Sequence, residues 1–360
     1  MLRFVQIANI PVLIDGDEGR LGAWARKIWI APDFPDLFGF GWNSFPNIGY
    51  TVQYALTPIF GIDFAALRWS SAVIGVLSIV VTYAWVRCWW GSVVALVAAA
   101  FLSLNPEHLY WSRVGYNNIH CALLASMILL AFARAMRDRR AKDYVLLGMS
   151  LGLGWHTYHA AKVYAVLLAI PFTLIALARP VLWRAHRRGV ALTAIAAVMM
   201  VLPQLPNIYS GWHQIYEDVS NRGQLELLFN AYSNGATEAV RRFLYTHIAD
   251  SFHVFISVPA GLAIFEPFGS VAFFLGLTWM VWHWREPRHT FTLAWVFGLL
   301  ISGSMLTDWP PSKPRLVGLL PAVCTVAAIV VVRLARVVRS ALPGQGLDLS
   351  ILAVLLWLTG

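Results

Sequence analysis

Four short stretches of this sequence carry residue types that could do chemistry, and together they offer one acidic pair and a set of cations. The first reads Asp15-Gly16-Asp17-Glu18-Gly19, a glycine-bearing turn that presents two adjacent carboxylates and then opens a helix. A carboxylate partly shielded from water can take a proton from an attacking hydroxyl as a general base. The same residues would also serve as ordinary helix caps, favoured by the macrodipole. The second stretch runs from Asn105-Pro106 to Ser112-Arg113 and on to Asn117-Asn118. Arg113 competes there between snorkelling to headgroups and holding an anionic ligand, since a guanidinium offers several donors to phosphate oxygens. The third is Trp155-His156-Thr157-Tyr158-His159-Ala160-Ala161-Lys162, where Tyr158 and Lys162 would share a face if helical. A lysine so near hydrocarbon asks for a partner, and phosphate is the natural one. The pair His156 and His159 lacks a nearby carboxylate, so no metal site is expected. The fourth is Lys313-Pro314-Arg315, two cations at the mouth of an apolar run.

The elements that must position these groups are helices that cross a membrane. Hydrophobic residues make up 59% of the 360 and charged ones only 12%, against roughly 25% charged in a soluble domain. The apolar residues come in runs of a length suited to crossing a hydrocarbon core of about 30 Å. Spans are expected near 64–86, 91–109, 117–136, 143–157, 161–178, 190–208, 264–284, 290–306, 316–338 and 349–360, with a semi-buried helix near 48–60. The expected fold is therefore all-α, a single polytopic bundle of about 10–11 spanning helices over residues 1–360. The net charge of +9 forms no stripe that would follow a nucleic-acid backbone. Cys88, Cys121 and Cys324 have neither disulfide nor zinc spacing.

Charge placement orients the bundle. With the spans alternating in direction, 15 of the 27 basic residues fall in five short loops, around Arg87, 134–142, 179–188, 285–288 and 333–339. That side is expected to be cytoplasmic. Most of the 18 acidic residues then lie on the other face, together with all four chemical stretches. Two outer segments, about 14–63 and 209–263, are long enough to build a site or a lid. Only a short stretch precedes Asp15, and the sequence ends inside an apolar run at Gly360, so it is expected to continue beyond both ends.

Taken in order, Asp17-Glu18, Leu67-Arg68, Asn105-Pro106 leading to Ser112-Arg113, Thr157-Tyr158 with Lys162, and Arg315 with Pro321 resemble the GT-C glycosyltransferases of the protein O-mannosyltransferase and lipid A aminoarabinose transferase type, the glycosyltransferase family 39-like group. The resemblance covers roughly residues 5 to 340. It implies a transferase that takes a sugar from a polyprenyl-phosphate carrier and places it on a glycan, lipid or protein hydroxyl. The chain would sit in a prokaryotic inner membrane with its site facing outward. It also implies that Asp17 activates the acceptor with Glu18 beside it, and that Arg113, Tyr158, Lys162 and Arg315 surround the donor phosphate. Asn117, Asn118, His159 and Lys313 would line the substrate. Asn117 and Asn118 depart from the family, which often carries an acidic residue after the Ser-Arg turn, and that bears on the acceptor class.

A transporter or flippase of a lipid-linked or small anionic substrate is the competing reading. It would place charges near the bilayer midplane and show repeated halves. Here the ionisable residues gather at the outer surface, and no internal repeat is visible.

Overall fold

The structure is a computed structural model that describes residues 2–12, 16–30, 36–56, 59, 61, 63–178, 180–210, 233–256, 267–307 and 311–341. Among these residues there are helices and no strands, apart from an isolated bridge between Phe40 and Pro46.

Helix α1 spans Gly16–Ile30 and α2 spans Asn47–Gln53. The long helix α3, Phe64–Trp90, begins where the Asp63 side chain accepts from the Ala66 N–H at 3.0 Å. It stops at Gly91, whose φ of +88° few side chains tolerate. The expected span at 91–109 is broken into α4, Ser92–Leu104, and the short α5, Pro106–Trp111. The reason is local. Pro106 has no N–H to continue the ladder, and the Asn105 side chain caps the new helix by accepting from His108 N at 2.9 Å.

Then follow α6 (Ile119–Asp138), α7 (Ala141–Trp155), a 3₁₀ turn (His159–Val163), α8 (Tyr164–Ala178), α9 (Pro180–Val201) and α10 (Leu205–Ser210). Beyond them come α11 (Thr237–Ile256), α12 (Pro267–Trp282), α13 (Pro287–Leu300) with a π-turn at Ile301–Met305, α14 (Lys313–Leu316) and α15 (Leu320–Ala341). Nine of the ten expected spans fall on these helices. The tenth, 349–360, lies outside the described residues, as does most of the outer segment 209–263 before α11.

By length and composition, four described helical stretches are apolar enough to cross a membrane: Phe64–Trp90, Ile119–Asp138, Trp183–Ser210 and Lys313–Ser340. Others are shorter. At about 1.5 Å per residue the 13 residues of α4 reach only about 20 Å, and α5 follows it in sequence. The 3₁₀ turn precedes α8 directly and the π-turn follows α13 directly.

The core forms where α3 packs on α4 and α6, and where α15 packs on α4 and α12. Helix α15 is central: Val323, Val326, Ala327 and Ala328 have no exposed surface. Small residues let backbones close in. A Cβ on Gly148 of α7 would stand 2.2 Å from the Thr193 carbonyl of α9. One polar contact crosses the apolar interior between α3 and α6, Thr82 Oγ1 to Ser126 Oγ at 2.8 Å.

Candidate active site at one end of the bundle

The start of α3, the end of α4, the head of α6, the end of α7 and the turn before α15 all reach the same end of the bundle, and cross-chain contacts there tie the four chemical stretches together. Glu18 is the hub. It is 1% exposed and forms a two-point ion pair with Arg68, also 1% exposed, at 2.8 and 2.9 Å. Its Oε1 also accepts from the backbone N–H of Gly115 at 2.7 Å. Gly115 has to be glycine for this approach. A Cβ would come within 2.9 Å of Leu67 Cβ and 3.0 Å of Glu18 Oε1. Arg68 then spends its Nη1 on the carbonyls of Ile7, Ala8 and Pro11, the last at 3.0 Å.

Glu18, expected beside Asp17 as a catalytic carboxylate, ties α1 to α3 and to the 112–118 loop through these contacts. The physical reason is burial: Arg68 enters the apolar bundle and needs a counter-charge there. Asp17 precedes it in the first turn of α1 and is exposed.

Arg113, expected at the donor phosphate, faces the 2–10 segment in this structure. Its guanidinium donates to the carbonyls of Leu2, Val5 and Ile10, at 2.7 Å to Val5. Burial and then the neighbouring Arg68 charge lower its pKa from the ordinary arginine value. It straps the 2–10 segment instead. Deeper still, Arg3 donates to Ser112 Oγ at 3.2 Å and to the Ser103 carbonyl at 2.9 Å, and lies 2.8 Å from His108 Nδ1.

Of the cations in the four stretches, Lys162 and Arg315 make neither an ion pair nor a hydrogen bond to a backbone carbonyl among the described residues. Lys162 Nζ lies 3.1 Å from His159 Nδ1, with the rings of Trp155 at 5.8 Å and Phe40 at 6.0 Å. The segment is a 3₁₀ turn, so Tyr158 and Lys162 do not stack as they would on an α-helix. Tyr158 and His159 instead pack on Phe45, with ring centroids 5.4 and 4.7 Å away. The second cation is Arg315, half-buried, whose side chain makes no hydrogen bond or ion pair with the described residues.

The turns bearing these cations touch. A Cβ on Gly318 would lie 1.8 Å from Tyr164 Oη, which itself donates to the Cys121 carbonyl at 3.3 Å. Asn118 Nδ2 donates to the Pro314 carbonyl at 3.2 Å, fixing the same turn to the head of α6. Asn117 is buried beside Gly49 of α2, which in turn meets the His156 carbonyl. Lys313 pairs with Glu107.

Sequence reasoning passed over Glu107 and gave no partner for Arg68. The available signal for Arg68 was its position: an arginine four residues into an apolar helix requires an acid. No cluster of three or more His, Cys, Asp or Glu side chains suited to a metal exists among the described residues. His156 and His159 have separate partners, His156 Nε2 lying 2.7 Å from the Met200 carbonyl.

Residues 46–208 match the family described as dolichyl-phosphate-mannose-protein mannosyltransferase. The arrangement of the whole bundle matches ArnT from Cupriavidus metallidurans in the apo state, with a TM-score of 0.65 and 16% identity over 98% of this chain and 66% of that one. The chain has the GT-C glycosyltransferase fold. The ArnT structure bound to undecaprenyl phosphate matches this GT-C chain with a TM-score of 0.61 and 17% identity, over 99% of this chain and 67% of that one. In sequence it is 28% identical, over 48% of its length, to undecaprenyl phosphate-alpha-4-amino-4-deoxy-L-arabinose arabinosyl transferase 1 of Pseudomonas fluorescens. That alignment spans 33% of the relative, so the GT-C chain matches about a third of the curated relative's length.

Proposed function

We propose that this chain transfers a sugar from a polyprenyl-phosphate donor to an acceptor hydroxyl at the extracytoplasmic face of the membrane, with Asp17 as the general base. The observation that carries the reading is the pair of carboxylate-free cations, Lys162 and Arg315, on touching turns at the end of the bundle where Asp17 opens α1. Cations without counter-charges suit an anionic ligand, and a lipid phosphate reaches such a site from the membrane.

In the proposed step the Asp17 carboxylate takes the proton of the acceptor hydroxyl as its oxygen attacks the anomeric carbon. The bond from that carbon to the phosphate oxygen breaks, and the electron pair leaves with the lipid phosphate. Lys162 and Arg315 stabilise the charge that develops there. The departing phosphate is weakly basic, so no second carboxylic acid is needed to protonate it, unlike in glycosidases. Glu18 and Arg68 are positioning residues in this scheme. They hold the first turn of α1 against the 112–118 loop, and Arg113 secures the segment ahead of it.

The deciding test is transfer by the purified full chain in lipid nanodiscs, supplied with a panel of radiolabelled polyprenyl-phosphate sugars. Transfer that disappears in Asp17→Asn, and that needs raised donor in Lys162→Ala and Arg315→Ala, supports the reading. Equal activity in all three variants overturns it.

A further inference from the structure

The far end of the bundle carries a second concentration of charge that the transfer chemistry does not use. There the turn between α12 and α13 leaves Trp282 84% and Trp284 58% exposed. An open cavity of about 550 Å³ is lined by Trp282, His283, Trp284, Arg285 and Glu286. Trp279, one turn earlier, is sandwiched: the Arg333 guanidinium of α15 lies 3.5 Å from its ring centroid, and the His283 and His289 rings lie at 4.6 Å.

Positive charge dominates. Arg333 feels Arg288, Arg336 and Glu286, and Glu286 is already held by Arg288 at 2.6 Å. Arg285 is exposed, with no hydrogen-bond or ion-pair partner among the described residues. Four arginines therefore share one engaged carboxylate. Beside them α15 turns Leu334, Val337 and Val338 outward, 51%, 64% and 47% exposed.

We infer that this end binds the headgroup of an anionic phospholipid, its phosphate on Arg285 and Arg333 and its acyl chains along Trp282 and the outward face of α15. Guanidinium groups supply the phosphate donors. Indole rings suit the headgroup level, and basic pockets at the end of a helical bundle select anionic headgroups.

The test uses the full chain in nanodiscs of mixed phosphatidylglycerol and phosphatidylcholine, with retained lipid counted by native mass spectrometry. Wild type is expected to keep phosphatidylglycerol in preference to phosphatidylcholine. Loss of one arginine, Arg285→Gln or Arg333→Gln, should lower that retention about fivefold, and loss of both about 25-fold. Arg285 is exposed and has no partner among the described residues, so Arg285→Gln remains informative if Arg333→Gln disturbs the stack on Trp279 and fails to fold. Millimolar glycerol 3-phosphate should displace nothing. Equal retention of both lipids, an unchanged Arg285→Gln variant, or displacement by the soluble phosphate would each overturn the assignment.

Discussion

The backbone N–H of Gly115 donates to Glu18 Oε1 at 2.7 Å across 97 positions of sequence, and the same oxygen receives Arg68 Nε at 2.8 Å. This three-way contact buries one of two adjacent carboxylates, while the other, Asp17, is exposed. Glu18→Gln should leave Arg68 as a buried charge without its counter-ion, a loss of about 3–5 kcal/mol. Asp17→Asn should hardly change stability, because asparagine caps about as well as aspartate, yet transfer should fall roughly 100- to 10,000-fold. Melting temperature and transfer rate measured on both variants check the division. A stable but inactive Glu18→Gln protein, with an active Asp17→Asn, would reverse it.

Gly115→Ala probes the same contact from the other side. The added methyl group would press on Leu67 Cβ and Glu18 Oε1, and overpacking of this kind costs about 1–3 kcal/mol. Thermal unfolding in detergent gives the number. An unchanged melting temperature would mean that the loop relaxes away and that Glu18 does not depend on it.

Donor use should divide along the lines of pairing. Lys162→Ala and Arg315→Ala remove cations without carboxylate partners and should raise the donor KM several-fold while leaving the acceptor KM near wild type. Arg113→Ala should instead loosen the 2–10 segment, whose Leu2, Val5 and Ile10 carbonyls it holds. Limited proteolysis near the N-terminus would then accelerate. Steady-state kinetics with each substrate varied in turn distinguishes the two cases; a donor-specific defect in Arg113→Ala with normal proteolysis would return that arginine to the phosphate.

The tight meeting of Tyr164 with Gly318 gives a fourth prediction. Gly318→Ala would force Tyr164 Oη from its place and spread the turns bearing Lys162 and Arg315. Donor affinity should fall even though neither cation is altered. Tyr164→Phe in the same background removes the clashing hydroxyl and should restore part of the loss, which a direct effect of Gly318 on the acceptor would not allow.

Orientation can be read by labelling. Cys88 is half-buried, and Cys121 and Cys324 are buried, so a Cys88→Ser background is nearly silent. Lys142 and Asn234 are both exposed. On intact cells an impermeant thiol reagent should modify Asn234→Cys and spare Lys142→Cys. The opposite pattern would put the candidate site on the cytoplasmic face.

Much of this architecture was legible in the sequence because the bilayer allows few solutions. Runs of apolar residues must be helices, and the asymmetric placement of arginines gives them an expected orientation. Thus nine expected spans coincide with helices, and Asn105-Pro106 carries its own cap and stop. The residue types at the site were also visible, since ionisable groups beside hydrocarbon stand out against so apolar a chain. Which of them pair with one another was not visible, because pairing joins residues 50 to more than 200 positions apart: Glu18 with Arg68, and Lys313 with Glu107. A dipeptide such as Asp17-Glu18 reads as two like acids. Only packing buries one of them against an arginine and leaves the other exposed, and burial is decided by which helices meet, a property that no local spacing encodes.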